Sequence, residues 1–318
     1  MTNPNILIIG AGPAGLTAAI QLKRFGFASV LLEKDSVGGL LRNANLVENY
    51  PGFPNGIPGP KLIALFEKQM RNIGIEVTYG EVVKLEFLDD RFTVEVGRVS
   101  IPADQGRTRY PPCVTAVGPL QPYHYVIIAT GTKPKAIPIE IPPQARDRVF
   151  SEVYPVLEAR DKHVVVIGAG DAAFDYALNL ARKNAVTILN RGREASCLPL
   201  LWERAQKTRR ITYLAETAVS GVEADEKGRR LRVQCVTNDP TGHCSLVTDY
   251  LLFAIGREPA MDFLTERVKL QAQRLVEDGK LYLVGDVHNG FYRQTAIAVG
   301  EGLRAAMQIY EQMSLRGA

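Results

Sequence analysis

Two glycine-rich turns carry the chemistry that is legible first. Gly10-x-Gly12-x-x-Gly15 follows the aliphatic run ILII, and Gly168-x-Gly170-x-x-Ala173 follows VVVI. A helical pattern opens directly after each. In that setting the first glycine allows a tight turn, the second lets a pyrophosphate approach the backbone, and a small third residue lets helix and strand pack closely. The helix N-terminus then offers unpaired N–H groups and a partial positive charge to phosphate. Pro13 and Ala14 lie inside the first turn, Asp171 and Ala172 inside the second. Both turns therefore read as dinucleotide-binding fingerprints.

The residues that close the next strand tell the two copies apart. Glu33 stands 18 residues after Gly15, followed by Lys34. A carboxylate there accepts hydrogen bonds from a ribose 2′,3′-diol and repels a 2′-phosphate, so this turn suits FAD or NAD. In the second copy the same place holds Asn190 and Arg191, with Arg193 close behind. Arginine forks suit a 2′-phosphate, which favours NADP(H), with NAD(H) as the alternative.

The elements that must hold these turns repeat as well. The patterning predicts a helix from Leu16 to about Phe25 and a strand at Val30–Leu32. It predicts a second helix from Phe174 to about Lys183 and a strand at Val186–Leu189. YVIIATGTKPK and LLFAIGREPA form a second echo, each a strand meeting a glycine turn near the end of a domain. Residues 50–60 are a Pro/Gly loop, 61–73 an amphipathic helix, and 75–96 and 110–128 strands around a turn-rich insert at 97–122. The Pro-rich stretch 134–143 marks a boundary. Residues 211–255 read as strands, LYLVGDV as another, and Thr295 to about Gln312 as a helix. The expected fold is α/β: two Rossmann-like FAD/NAD(P)-binding domains. A discontinuous FAD domain (1–133 and 258–318) receives a pyridine-nucleotide domain (134–257) as an insertion, each with a parallel sheet.

Composition narrows the class. A chain of 318 residues suits about two domains. With 46% hydrophobic and 23% charged residues it reads as globular rather than disordered. The net charge of +4 is spread out, apart from Arg-rich stretches near 191–210 and 228–232, which argues against a nucleic-acid binder. No run of about 18 apolar residues predicts a membrane span. The N-terminus lacks the basic region and cleavage site of a secretory signal, so a cytoplasmic protein is expected. Cys113, Cys197, Cys235 and Cys244 form no Cys-x-x-Cys and no zinc pattern, and the four histidines (His124, His163, His243, His288) have no paired spacing. No metal site is expected. Free thiols are, with Cys235 and Cys244 flanking a turn-rich stretch whose strands could pair.

These residues together resemble the low-molecular-weight thioredoxin reductase family of flavoproteins over nearly the whole chain. GAGPAGLTAAI is similar to its FAD turn and helix, and Gly38-Gly39-Leu40 to its loop past the pyrophosphate. Glu48-Asn49-Tyr50-Pro51-Gly52 is similar to the loop whose Asn faces the flavin ring. Val126–Gly131 resembles the strand and turn near FAD, which brings in Ala129, Thr130 and Gly131. Gly285-Asp286 resembles the pair whose Asp binds the ribityl chain. Tyr292-Arg293-Gln294-Thr295-Ala296 resembles the element that opens a helix toward the flavin. The resemblance also implies Val82 as a contact of FAD, and a homodimer; His288, two residues after Asp286, reads as a satisfied structural histidine, with an approach to the flavin as the alternative. The family's redox Cys-x-x-Cys precedes the second glycine turn, where this chain reads VFSEVYPVLEARDKH (149–163). That loss is shared with the thioredoxin-reductase-like ferredoxin–NADP reductases, which also resemble this chain at Gly168–Leu180. The expectation is an FAD-dependent NAD(P)H oxidoreductase passing electrons to a non-disulfide acceptor such as ferredoxin, a quinone or another small molecule. The alternatives are a disulfide reductase using an external or unusual thiol, and a flavin-holding sensor without turnover. In the main expectation no side chain of this chain acts as the catalytic group, because the chemistry lies on FAD; the disulfide alternative would work through an external thiol or an unusual thiol among the four cysteines.

Overall fold

A computed structural model describes residues 5–97, 118–119, 122–225, 228–238 and 242–316. The chain divides into two compact units. One comprises residues 1–42, 48–133 and 258–318, the other 43–47 and 134–257. The short stretch 43–47 thus groups with the second unit, although sequence alone places it in the first.

The first unit opens with β1 (Ile6–Ile9), α1 (Pro13–Arg24), β2 (Ser29–Glu33), β3 (Val77–Tyr79) and β4 (Tyr125–Ile128). The second unit supplies β5 (Val149–Phe150), β6 (His163–Ile167), α2 (Asp171–Leu180), β7 (Ala185–Leu189) and β8 (Ile211–Leu214). It continues with β9 (Thr217–Ala224), β10 (Leu231–Thr237), β11 (His243–Thr248) and β12 (Tyr250–Phe253). The chain then returns to the first unit for β13 (Leu281–Leu283) and α3 (Thr295–Arg316).

Each unit is built on a five-stranded parallel sheet. The orders are β3-β2-β1-β4-β13 and β8-β7-β6-β12-β5. The strand before each glycine turn is central in both. Ile6 and Ile8 face one side, with α1 and α3, while Leu7 and Ile9 face the other, so β1 is apolar throughout because it is covered on both sides. In the second unit β9, β10 and β11 form an antiparallel meander beside the parallel sheet.

The helices begin earlier than their apolar periodicity indicates. α1 starts at Pro13 and α2 at Asp171, inside the glycine motifs. Proline is pre-set for the first helical position, where no carbonyl partner is needed. α3 runs to Arg316, beyond the expected end. Two helices were not expected, Pro199–Lys207 and Glu266–Glu277. The second has its own start signal, Thr265, whose Oγ1 accepts from the Val268 amide at 3.4 Å. Most of the expected insert at 97–122, including Cys113, lies outside the described residues.

Candidate functional site

In the first turn the three glycines do different work. Gly10 has φ of +104°, and a Cβ there would meet the Ala129 carbonyl oxygen at 2.4 Å. A Cβ on Gly15 would meet the Gly10 carbonyl oxygen at 1.9 Å. A Cβ on Gly12 would meet nothing within 4 Å. Gly10 and Gly15 thus answer to the protein's own backbone, whereas Gly12 borders an open cradle at the start of α1. The loop with Gly39 and Leu40 closes one side of that cradle: the Gly38 amide donates to the Ala11 carbonyl at 2.8 Å, and a Cβ on Gly39 would sit 3.7 Å from the Gly12 Cα. An open, amide-lined space at a helix N-terminus fits a diphosphate.

Glu33 ends β2 and is buried. Its Oε2 accepts from the Ala11 amide at 2.7 Å and its Oε1 from the Asp35 amide at 2.8 Å. Burial pushes its carboxyl up from the ordinary value, while these backbone amides pull it back down. Each oxygen keeps a further lone pair for an outside donor. Lys34 is exposed and ion-paired with Glu81 at 3.2 Å. The Val82 side chain is packed in the core, which leaves only its main chain for an outside contact.

The C-terminal part of the first unit gathers around the same turn. Gly285, with φ of +76°, passes close to Ala14: a Cβ on it would sit 3.1 Å from the Ala14 Cβ. The α3 helix crosses α1 at Gly302, where a Cβ would meet the Ala14 carbonyl oxygen at 2.1 Å. Asp286 lies in the turn Gly285–Val287 and is partly exposed. Thr130 donates through Oγ1 to the Ala260 carbonyl at 2.7 Å, and the Gly131 carbonyl accepts from the Ala260 amide at 3.1 Å. Asn49 Nδ2 donates to Gln294 Oε1 at 2.7 Å. The Gln294 carbonyl accepts from the Ala298 amide at 3.0 Å, so Gln294 caps α3 and the amides of Thr295 and Ala296 fall in its first turn.

One organising residue was missed in the sequence. Glu301 Oε2 accepts from the Gly285 amide at 2.6 Å and the Asn289 Nδ2 at 2.9 Å, and lies 3.2 Å from His288 Nε2. A single carboxylate on α3 thereby holds the Gly285–Asn289 turn. Its only local signal is a charged residue inside a Gly-x-Gly segment of a helix.

The second turn repeats the first. Gly10 and Gly168 donate their amides to Leu32 and Leu189 at 2.8 and 3.0 Å, and Ala129 and Ala254 donate to Ile9 and Ile167, both at 2.8 Å. A Cβ on Gly168, where φ is +131°, would meet the Ala254 carbonyl oxygen at 2.3 Å. Ala173 is fully buried in the third place. Gly170 is more confined than Gly12, because Ser196 Oγ lies 3.8 Å from a Cβ built on it. The loop after β7 is tied back to the turn: the Ser196 amide donates to the Ala169 carbonyl at 2.9 Å and the Leu198 amide to Asp171 Oδ1 at 2.7 Å. Ala172 is exposed beside them. Arg191 and Arg193 are exposed and make no ion pair among the described residues. Asn190 Nδ2 donates to the Glu194 carbonyl and the Tyr213 hydroxyl, both at 2.8 Å, and its Oδ1 accepts from the Gly192 amide at 2.9 Å and keeps a further lone pair, so it shapes the loop that displays the arginines.

The stretch 149–163 holds no thiol. Val153 and Val156 are buried in the core of the second unit. Glu152 accepts from Asn43 at 3.1 Å and pairs with Arg257 at 3.4 Å. Among the described residues no group of His, Cys, Asp and Glu is arranged to hold a metal ion, and no helix is long and apolar enough to cross a membrane.

The family model described as pyridine nucleotide-disulphide oxidoreductase matches residues 4–302. The chain belongs to that family. It is an NAD(P)H-dependent flavoprotein oxidoreductase whose cofactors are FAD and NADP(H). It is 28% identical to the thioredoxin reductase of Chlamydia trachomatis, over 96% of this chain and 97% of that one. It is 29% identical to that of Mycolicibacterium smegmatis, over 95% and 94%. Among solved structures, Lactococcus lactis thioredoxin reductase superposes with a TM-score of 0.80 at 25% identity, over 97% of this chain and 98% of that one.

Proposed function

We propose that this enzyme carries electrons from NADPH through FAD to an acceptor that is not a disulfide, such as ferredoxin, a quinone or another small molecule. The observation that carries this reading is the stretch 149–163, where buried valines and the Glu152–Arg257 pair stand in a segment without cysteine. A thiol relay from flavin to disulfide has no residue to run through there.

In this reading Gly10, Gly12, Pro13, Ala14 and Gly15 cradle the FAD pyrophosphate, with Gly39 and Leu40 beside it. Glu33 takes the adenosine ribose through its remaining lone pairs, and Lys34 and the Val82 main chain border the adenosine. Asp286 takes the ribityl chain. Asn49, Ala129, Thr130, Gly131, Gln294, Thr295 and Ala296 surround the flavin ring. The amides that open α3 would present their dipoles to the ring and would favour negative charge on it. When bound, FAD supplies a hydride acceptor able to release its electrons one at a time. Gly168, Gly170, Asp171, Ala172 and Ala173 form the nicotinamide-dinucleotide turn. Arg191 and Arg193 clasp a 2′-phosphate from the loop that Asn190 holds open. The same reading takes the protein to be a cytoplasmic homodimer.

A second reading, a disulfide reductase working with an external thiol, is supported by the relatives that are named thioredoxin reductase. Anaerobic reduction separates the two. FAD-loaded protein is bleached with NADPH and then offered ferredoxin, a quinone or oxidised thioredoxin. Prompt reoxidation by ferredoxin or quinone, with thioredoxin inert, is expected. Reoxidation by thioredoxin alone would overturn the proposal.

A further inference from the structure

Cys235 on β10 and Cys244 on β11 stand directly opposite each other in antiparallel register. Both are free thiols, and Cys235 Sγ donates to the Val233 carbonyl at 3.9 Å. Strand alternation turns both toward the same apolar interior. Cys235 is 1% exposed among Val165, Leu189, Val233 and Leu251, while Cys244 packs against that cluster and remains partly open to solvent. We propose that Cys235 and Cys244 are a disulfide-forming site, a dithiol that a small disulfide oxidises to a cross-strand bond between β10 and β11.

The two thiols have distinct tasks. The Cys244 thiolate attacks one sulfur of the small disulfide. The sulfur–sulfur bond breaks, one small thiol leaves with the proton that Cys244 gave up, and a mixed disulfide remains. The Cys235 thiolate then attacks Cys244 Sγ and expels the second small thiol, which takes the Cys235 proton. Two protein thiols are oxidised and one small disulfide is reduced to two thiols. Burial and the adjacent Cys244 push the Cys235 thiol up to about 12. Val219 faces it from β9, the interior side is apolar, and Cys244 is the titratable group that acts on it. In the mixed disulfide Cys244 no longer ionises, but the burial that raises the Cys235 thiol remains, so the second step quickens with rising pH as the thiolate fraction grows.

The bond closes over a short distance. Directly opposed residues hold their Cβ atoms about 4.5–5.5 Å apart, and a disulfide requires about 3.5–4.5 Å. The strands must draw together by roughly an ångström, and a bond formed under that tension is readily reduced again.

The test uses the reduced full-length protein with oxidised glutathione at pH 7 and pH 9, followed by alkylation, trypsin and mass spectrometry. Residues 233–257 form one tryptic peptide containing both cysteines. In the wild type this peptide is expected two hydrogens lighter and closed to alkylation, faster at pH 9, with recovery in dithiothreitol. Cys235→Ser is expected to stop as a glutathione adduct on Cys244, and Cys244→Ser to leave Cys235 unmodified. Cys235→Ala serves the same purpose if serine in the buried position lowers the melting temperature. A wild-type peptide that keeps both thiols while Cys197 reacts would overturn the proposal. So would a Cys244 adduct that persists at pH 9.

Discussion

The side-chain amide of Asn49 donates to Gln294 Oε1 at 2.7 Å, although 245 positions separate the two residues. This bond joins a Pro-Gly loop to the cap of α3. Asn49→Ala and Gln294→Ala should each slow the bleaching of bound FAD by NADPH about three- to tenfold, the worth of roughly 0.5–1.5 kcal/mol for one hydrogen bond. The double variant should be no slower than the worse single one. Stopped-flow absorbance reads this directly, and additive losses would show that the two side chains act separately.

The three glycines of the first turn should separate folding from binding. Gly15→Ala places a methyl 1.9 Å from the Gly10 carbonyl oxygen and should cost more than about 2 kcal/mol in urea unfolding of the apoprotein. Gly12→Ala meets no protein atom within 4 Å and should leave apoprotein unfolding nearly unchanged while weakening FAD binding at least tenfold. Equal losses of stability in the two variants would contradict the open cradle.

Arg191 and Arg193 should matter to one nicotinamide dinucleotide only. Replacing both with Ala should raise KM for NADPH roughly 10- to 100-fold, the loss of charge-assisted bonds worth about 1.5–3 kcal/mol. KM for NADH should stay within about twofold. Parallel steady-state titrations check this, and an equal rise for both would remove the 2′-phosphate assignment.

Glu301 should govern FAD retention without touching the second dinucleotide turn. Glu301→Ala leaves the Gly285 amide and the Asn289 amide without their acceptor. An unsatisfied buried donor costs about 1–3 kcal/mol, so FAD affinity by fluorescence titration should fall roughly 10- to 100-fold. Glu301→Gln keeps one acceptor oxygen and should lose less. NADPH affinity of the apoprotein should be unchanged in both.

The glycine turns were legible in sequence because their constraints are local. A positive φ at Gly10 or Gly168, a helix opening within a few residues and an acid closing the next strand all leave marks in short stretches of chain. The strand echoes YVII and LLFA were readable for the same reason, since a strand covered on both faces must be apolar throughout. Helix starts were misjudged because Pro13 and Asp171 belong to turn and helix at once.

What Glu301, Asn190 and the two facing cysteines do was decided only by tertiary structure. Nothing near Glu301 in sequence states that its carboxylate will meet the Gly285 amide; that follows from α3 crossing α1 at Gly302. Asn190 stands where the second copy's ribose ligand is expected, and only the fold-back of the loop after β7 gives its side chain the Glu194, Tyr213 and Gly192 partners that shape that loop. The pairing of Cys235 with Cys244 needed the register of β10 on β11, because a shift of one residue would turn the two thiols to opposite faces. Backbone conformation is written in neighbouring residues. The partner that satisfies a buried polar group or faces a thiol is set by how distant elements pack, and that is where this chain's sequence falls silent.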